Sequence, residues 1–549
     1  MSNRPGFMSR ARLIQTALAT GALAACGGRL SPTPIGAGGL DLGSANSGDR
    51  FGLDAVLAND LFKNLDKQEI LDRYDFSPKI AAIVRQLAEH GDAQVLPHGT
   101  VITSIPDTGY VITTPGTYTL GKDVMWTPSA KALGPAIIIA SSNVTLNLAK
   151  HTLSLAASAK AGGSYVGVAV APLSGTLQKV AISNGTIANF TLYGIVGAKV
   201  SGLTISGITV TGLRLRADLK SAKSRLLIPA GITTLGASNV AVSDCVVTKT
   251  NVTADVASGI LLAQTAGGTV TDCSISSTVN NDGSAQGFSY LGSSGIKTTG
   301  CKANSLTTYF NGNVETPGHT CIGYVPTLSH DLTFTNCSAD GMTGCCDDAH
   351  AFSVFMCWNT TVSHFTGSNV LDGAGKEKTG AKSTGLEVYS FGNVTVSDCT
   401  VSNIKAINPQ DLQAAGFSAW GMTTTFERCT AINVSVVNNP KMADVRGIGF
   451  GWAPDPRGRF RDVAAFVTTY DHCTADTCDV GFDTWNHLNS TWTKTATKNI
   501  AKANQYLYQP NATRTIWCNG CSECKAGIRA KITNLADSSD TLDGKPFTA

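Results

Sequence analysis

A short strand-like motif that ends in cysteine recurs along the chain and constrains the fold more than any other feature. Its copies read VAVSDCVV (240–247), TVTDCSI (269–275), LTFTNCSA (332–339), VTVSDCTV (394–401), TTFERCTA (424–431) and TTYDHCTA (468–475). Copies of this motif, and of the second motif described below, mostly recur about 25–40 residues apart, with Gly or Asn between the strands. A repeat of this size without helices cannot bury its own apolar face, so it must stack on its neighbours. The pattern therefore predicts an all-β fold, a right-handed parallel β-helix.

A second motif precedes these copies and consists of a small residue, a large apolar residue and an alternating strand. It reads YGIVGA (193–198), AGITTL (230–235), SGILLA (258–263), SGIKTT (294–299), HAFSVF (350–355), TGLEVY (384–389), AGFSAW (415–420) and VGFDTW (480–485). The large apolar residue is expected to point into the coil. Because strand neighbours alternate faces, the residue after it and the residue three after it should face outward.

The stretch from PGTYTL (115–120) onward also resembles the pectin-lyase-like β-helix superfamily, over roughly residues 98–495. The resemblance implies the fold. It implies no particular activity, because this fold hosts lyases, hydrolases, epimerases and tail-spike adhesins.

The first residues predict an exported protein. Arg10 and Arg12 precede a short apolar stretch that ends in Leu-Ala-Ala-Cys, which resembles a bacterial lipobox with Cys26 as the lipidated residue. An ordinary signal peptide cut at a small residue is the alternative. We expect a signal peptide over 1–25, a flexible tether over 26–50, a helical N-terminal element over 51–97, the β-helix over 98–495 and a tail or cap with a cysteine cluster over 496–549. The predicted location is periplasmic or outer-membrane-anchored, with membrane contact only through the lipid.

The charge balance argues against one class of partner. Lys and Arg number 42 against 39 Asp and Glu, a formal net charge of +3, and no basic stripe with interleaved aromatic residues occurs. Nucleic-acid binding depends on such positive surfaces. The sequence therefore predicts no nucleic-acid partner.

Apart from Cys26, thirteen of the 16 cysteines fall into two groups. Cysteines in the repeated motif are expected to stack as small buried thiols: Cys245, Cys273, Cys337, Cys399, Cys429 and Cys473. Export permits disulfides, so the candidates for bridges are the cysteines off this ladder: Cys345, Cys346, Cys357, Cys478, Cys518, Cys521 and Cys524. A zinc site in the last three is the alternative.

Large aromatic residues occupy one outward column of the aligned strands. The column and its neighbours contain Phe355, Tyr389, Trp420, Trp452, Asp483 and Trp485. Contiguous outward aromatic side chains mark binding surfaces, and flat rings suit sugars. We expect these residues to bind a polysaccharide or another extended ligand. Long turn loops that fold over the column and bury it are the alternative.

The stretch GCCDDAHAFSVFMCWN (344–359) places polar residues beside this column. The catalytic candidates are Asp347, Asp348, His350, Lys297, Tyr324 and Glu387. β-Elimination on a uronic-acid polysaccharide needs a cation at the substrate carboxylate, a base for the C5 proton and an acid for the leaving oxygen. Lys297, a histidine and Tyr324 would supply these roles, and Asp347 with Asp348 could hold Ca²⁺.

Two other functions stay open. Glycoside hydrolysis would use paired carboxylates, Asp347 and Asp348 with Asp340 or Glu387. The polygalacturonase branch of the superfamily has an Asp-Asp pair, but its Asn-Thr-Asp, Gly-His-Gly and Arg-Ile-Lys motifs are absent here. A non-catalytic glycan-binding or adhesion β-helix is the third function. The leading expectation is an exported enzyme that cleaves an acidic polysaccharide as a lyase.

Overall fold

The structure is a computed structural model. It describes residues 93–129, 134–160, 162–172, 174–216, 228–309, 319–345, 348–373, 382–407, 414–437, 447–452, 465–484, 487–493, 495–500, 503–506, 516–519, 541–542 and 545–546. These residues divide into two compact units. The N-terminal unit ends at Ser338, and the C-terminal unit begins at Ala339 and also includes His319. Strands dominate the described residues, which contain no helix.

The first strands of the chain are short and follow one another closely. They are β1 (Gln94–Val95), β2 (Val101–Ile102), β3 (Tyr110–Ile112), β4 (Gly116–Leu120), β5 (Val124–Trp126), β6 (Pro135–Ile139), β7 (Val144–Asn147), β8 (Thr152–Leu155), β9 (Val166–Val170), β10 (Leu177–Ala188), β11 (Tyr193–Ala198), β12 (Val200–Thr211), β13 (Ala230–Leu235), β14 (Ser238–Ser243), β15 (Val246–Val252), β16 (Val256–Ala263), β17 (Ala266–Thr271), β18 (Ser274–Asn280), β19 (Ser284–Leu291), β20 (Ser294–Thr299), β21 (Lys302–Thr308), β22 (Cys321–Thr327) and β23 (His330–Thr335).

Each of these strands pairs in parallel with the equivalent strand one coil further along. One series runs β9–β11–β13–β16–β19–β22, a second β10–β12–β14–β17–β20–β23, and a third β12–β15–β18–β21. Three parallel series joined by turns are the defining feature of a parallel β-helix. The predicted fold class is confirmed.

The later strands are β24 (Ser338–Thr343), β25 (Asp348–Ser363), β26 (Thr366–Asp372), β27 (Lys382–Ser397), β28 (Thr400–Ile407), β29 (Ala414–Glu427), β30 (Thr430–Val437), β31 (Gly447–Trp452), β32 (Ala465–Asp471), β33 (Thr474–Asp476), β34 (Val480–Thr484), β35 (His487–Thr493), β36 (Ala496–Lys498), β37 (Ala503–Tyr506), β38 (Ile516–Asn519), β39 (Thr541–Leu542) and β40 (Lys545–Pro546). The same parallel pairing runs through β25–β27–β29–β31–β34–β37, while β39 and β40 pair antiparallel.

The core of each unit is a stack of equivalent apolar side chains from successive coils. In the C-terminal unit Phe417, Phe450 and Phe482 stack with ring centroids 4.9 and 5.0 Å apart. In the N-terminal unit Phe288 stacks on Tyr324 at 4.8 Å. Parallel strands lie about 4.8 Å apart, so a residue repeated in register stacks directly on its copy. The large apolar column predicted from the second motif therefore points inward.

A sharp turn precedes each ladder cysteine and explains which residues stand there. The residues just before the cysteines have φ between 50° and 55°: Asp244, Asp272, Asn336, Asp398, Arg428 and His472. Asp and Asn tolerate this left-handed conformation better than most residues. The turn directs the following cysteine inward, and all six predicted ladder cysteines are buried thiols, together with Cys301 at the same position.

The structure differs from the sequence prediction for two further cysteines and for the bounds of the segments. Disulfides are predicted for Cys357 and Cys478. Both thiols are buried, and they donate hydrogen bonds to the backbone carbonyls of Phe355 and Asp476, respectively. The parallel stack continues beyond residue 495 through β36, β37 and β38. Most of the predicted helical element lies outside the described residues, and Gln94–Val95 at its end is a strand.

No helix of the described chain is long and apolar enough to cross a membrane.

Candidate functional site

A polar cluster lies on the first part of β25 and β27 in the C-terminal unit. Register pairs Asp348 with Lys382, His350 with Thr384, Ser353 with Glu387, and Phe355 with Tyr389. Phe352 and Val354 face the core, so alternation places Ser353, Phe355 and their register partners on the outer face. The contacts of His350 with Glu387 place its side chain on that face too.

The imidazole of His350 stands between two carboxylates. Its Nδ1 lies 3.8 Å from Oε2 of Glu387, and its Nε2 lies 4.0 Å from Oδ2 of Asp348. Both separations are too long for hydrogen bonds but short enough for a strong electrostatic interaction. His350 is only 2% exposed, so water screens these two interactions weakly.

Glu387 is held by two donors. The ammonium of Lys382 donates a hydrogen bond to Oε1, and the hydroxyl of Ser353 donates to Oε2 at 3.2 Å. Lys382 and Glu387 are each 3% exposed. A buried charge requires a partner, and this ion pair meets that requirement for both residues.

A clamp at the start of β27 fixes the position of Lys382. Its backbone N–H donates to Oδ2 of Asp372 at 3.0 Å, and the N–H of Asp372 donates to the hydroxyl of Ser383 at 3.0 Å. That hydroxyl in turn donates to the carbonyl of Lys405 at 2.5 Å. These hydrogen bonds connect Asp372 at the end of β26 and Lys405 on β28 to the backbone at Lys382 and Ser383.

Two aromatic rings continue the cluster along the same face. The centroids of Phe355 and Tyr389 are 5.4 Å apart, and both side chains are buried. Burial raises the pKa of Tyr389 well above its usual value, so its phenol stays protonated at neutral pH. The predicted column is therefore present at these two residues, while their rings are covered as in the alternative described above.

Lys297 requires a correction, because it does not belong to this column. The sequence alignment placed SGIKTT with SGILLA, but β20 pairs with β17 so that Lys297 adjoins Thr269. The strand that pairs with SGILLA is instead β19, in which Phe288 adjoins Ile260. Lys297 stands four residues before Cys301, as Thr269 stands before Cys273. That spacing would have revealed the true register.

Tyr324 is a core residue and also a correction. It pairs in register with Phe288, is fully buried, and donates its hydroxyl hydrogen to the carbonyl of Cys301 at 2.6 Å. Burial raises its pKa well above the usual value. A phenol inside the coil and bonded to the backbone is not placed to protonate a leaving group.

Several predicted residues cannot be located by their side chains. Asp347 and Trp485 lie outside the described residues, and only the backbone is described for Trp420, Trp452 and Asp483. Register pairs Trp420 with Tyr389 and Asp483 with Gly451, as the sequence alignment predicts. Trp452 pairs with Thr484, one residue before the column of large aromatic residues.

The sequence reasoning missed Lys382. It stands three residues before Gly385, just as Asp348 stands three residues before Ala351, so the repeat alignment extended further upstream would have paired the two. Within the described ranges, no group of three or more His, Cys, Asp or Glu side chains is arranged to hold a metal ion.

The fold and the cluster together define a parallel β-helix with a buried acid–base group on its outer face. No family model matches the chain, and no curated protein matches it. Among solved structures it is similar to the tailspike protein of E. coli bacteriophage HK620 in complex with a pentasaccharide, at 11% identity and a TM-score of 0.44, over 80% of this chain and 81% of that one. A mutant of that tailspike with a hexasaccharide gives 12% identity and 0.39, over 70% and 68%.

Proposed function

We propose that the chain cleaves an acidic polysaccharide by β-elimination at the His350 cluster. The observation that supports this most directly is the imidazole between two carboxylates, with an ammonium and a protonated phenol on the same outer face. An acid–base pair beside aromatic rings matches what elimination on a sugar requires. The non-catalytic adhesion function explains the rings but not the buried charges.

In this proposal His350 is the base. It takes the proton from C5 of a uronate ring, the C4–O bond breaks, and a double bond forms between C4 and C5. The leaving oxygen takes a proton from Tyr389. The imidazolium that develops stands between Asp348 and Glu387, so the charge formed in the transition state is stabilised by groups already in place.

Lys382 is the counter-charge for the substrate carboxylate. The ammonium of Lys382 is already paired with Glu387, so a second cation would help to bind an anionic sugar ring. Calcium held by Asp347 and Asp348 would supply that cation. This site stays a prediction, and Asp347 lies outside the described residues.

Hydrolysis is the second candidate, because Asp348 and Glu387 flank the same imidazole. Retaining and inverting glycosidases both need one carboxyl group that can donate a proton. Both carboxylate oxygens of Glu387 already accept hydrogen bonds, one from Lys382 and one from Ser353, so neither is free for a glycosidic oxygen. That role would fall to Asp348, which makes hydrolysis the weaker candidate.

A turnover assay on polygalacturonate, alginate and chondroitin sulfate tests the proposal. Elimination gives an unsaturated product that absorbs in the ultraviolet, and we expect His350→Ala to lower its rate about 100-fold or more. The matched control is His472→Ala, an exposed histidine of the same unit that contacts Asp471. A parallel series with a chelator tests the calcium prediction.

The other outcomes separate the alternatives. Reducing ends released without ultraviolet absorbance would establish hydrolysis in place of elimination. Binding without turnover would leave the adhesion function. Equal loss of rate in His350→Ala and His472→Ala would show that the cluster is not the catalytic site.

A further inference from the structure

Three buried polar atoms around Glu387 have no hydrogen-bond partner within the part of the chain that the structure describes. They are Nδ1 of His350, Oγ1 of Thr384 and Oγ of Ser418. Thr384 and Ser418 are fully buried, and His350 is 2% exposed. Buried polar groups are nearly always paired, so three such atoms in one place require an explanation.

Register places all three atoms on one face. Thr384 pairs with His350, and Ser418 pairs with Glu387, whose carboxylate lies on the outer face. In-register residues of parallel strands project to the same side. The three residues belong to three successive strands, β25, β27 and β29, and two strand spacings give a span of about 10 Å.

Neighbouring hydroxyls of the same unit behave differently. Ser353 donates to Glu387, Ser383 to the carbonyl of Lys405, and Thr360 to the carbonyl of Trp358. Thr384 and Ser418 differ because burial removes them from water without a compensating bond, which lowers stability in the unliganded protein.

We propose that His350, Thr384 and Ser418 form a subsite for the hydroxyl-bearing edge of one sugar ring. This inference rests on the proposed function and names the part of the substrate that the site recognises. A hydroxyl and a neutral imidazole both donate and accept, which suits the hydroxyls of a sugar. Two carboxylates already stand here against one ammonium, so this edge of the ring is neutral and the substrate carboxylate faces Lys382.

The inference predicts opposite effects on stability and on binding. Thr384→Val and Ser418→Ala remove an unbonded buried hydroxyl, so thermal unfolding of the unliganded protein should stay unchanged or shift to higher temperature. The same variants lose a hydrogen bond to the ring, so KM on whichever of the three polysaccharides the wild type cleaves should rise roughly tenfold. A merely structural hydroxyl would lower the unfolding temperature instead.

Thr468→Val is the matched control. Its hydroxyl is also fully buried and unbonded, but it lies on β32, where it pairs with Thr424 and not with the cluster. Thr468→Val should change the unfolding temperature as Thr384→Val and Ser418→Ala do, and it should leave KM unchanged.

The inference and the proposed function fail in different ways. If the wild type is active and Thr384→Val and Ser418→Ala keep its KM, the subsite is overturned while the function stands. Lower unfolding temperatures for both variants would also overturn it, because the hydroxyls would then be bonded in the free protein. A wild type that neither cleaves nor binds any of the polysaccharides overturns the function and the subsite together.

Discussion

The ion pair of Lys382 and Glu387 couples the candidate chemistry to the stability of the C-terminal unit. Both side chains are almost completely buried. We expect Lys382→Met to destabilise the protein by about 3–5 kcal/mol, because it leaves the carboxylate of Glu387 buried without its counter-charge. The double variant Lys382→Met with Glu387→Met should recover most of that loss, since no isolated charge remains. Urea unfolding measures both free energies.

The control for this experiment is an exposed ion pair in the same unit. Arg428 donates to both oxygens of Asp398 on the surface. Exposed pairs contribute little, so Arg428→Ala should leave the unfolding midpoint almost unchanged. A double variant as unstable as Lys382→Met alone would show that Lys382 acts through packing and not through charge.

The sequence predicted the outward position of Glu387 and its alignment with Ser353 and Ser418, because a period-two pattern fixes which side chains share a face. It could not predict that Lys382 approaches Glu387, since this depends on the clamp made by Asp372 and Ser383 across a long insertion. It also could not predict that Tyr389 is buried. Local periodicity contains no information on either point.

At the scale of elements, the thiol ladder makes stability depend on pH in the alkaline range. Burial raises the pKa of Cys337 from 9.0 to about 11. A raised pKa means that the folded state holds the proton more tightly than the unfolded state does. The stabilisation is therefore complete below pH 9 and is lost as the pH rises through about 11.

Two pKa units correspond to about 2–3 kcal/mol for this one residue. We expect the free energy of unfolding to fall between pH 9 and 11, and to fall less in Cys337→Ala. Urea titrations at pH 8, 9, 10 and 11 would measure the difference. Identical pH profiles for the variant and the wild type would show that Cys337 ionises freely in the folded protein.

The ladder also shows how far sequence can define the elements. Asp244, Asp272 and Asp398 identify turns because their residue type suits a positive φ. The sequence alignment takes SGIKTT in place of GFSYL (287–291), whose aromatic Phe288 pairs in register with the aliphatic Ile260. Phe288 and Ile260 fill the same inward column, although their side chains differ in volume. Side-chain volume is therefore conserved over the stack of coils and not at each position.

At the scale of the whole molecule, the repeat determines the architecture because each coil is stable only against its neighbours. Substitutions within one coil are tolerated if the stacked columns stay apolar. Outward-facing positions do not have to stay apolar. A buried group of charged side chains on the outer face therefore does not contribute to the packing of the core. This separation is why the fold followed from the sequence, whereas Lys382 and its contact with Glu387 had to be found in the structure.

The N-terminal residues lead to a prediction about where the whole molecule resides. If Cys26 is the lipidated residue, expression in a Gram-negative bacterium should place the wild type in the membrane fraction, and Cys26→Ser should move it to the soluble fraction or leave it uncleaved. Lipid on the N-terminus supplies the apolar area that holds such a protein at a bilayer. Mass spectrometry of the N-terminal peptide would identify an acylated Cys26. A soluble wild type that begins at another residue would instead establish an ordinary signal peptide.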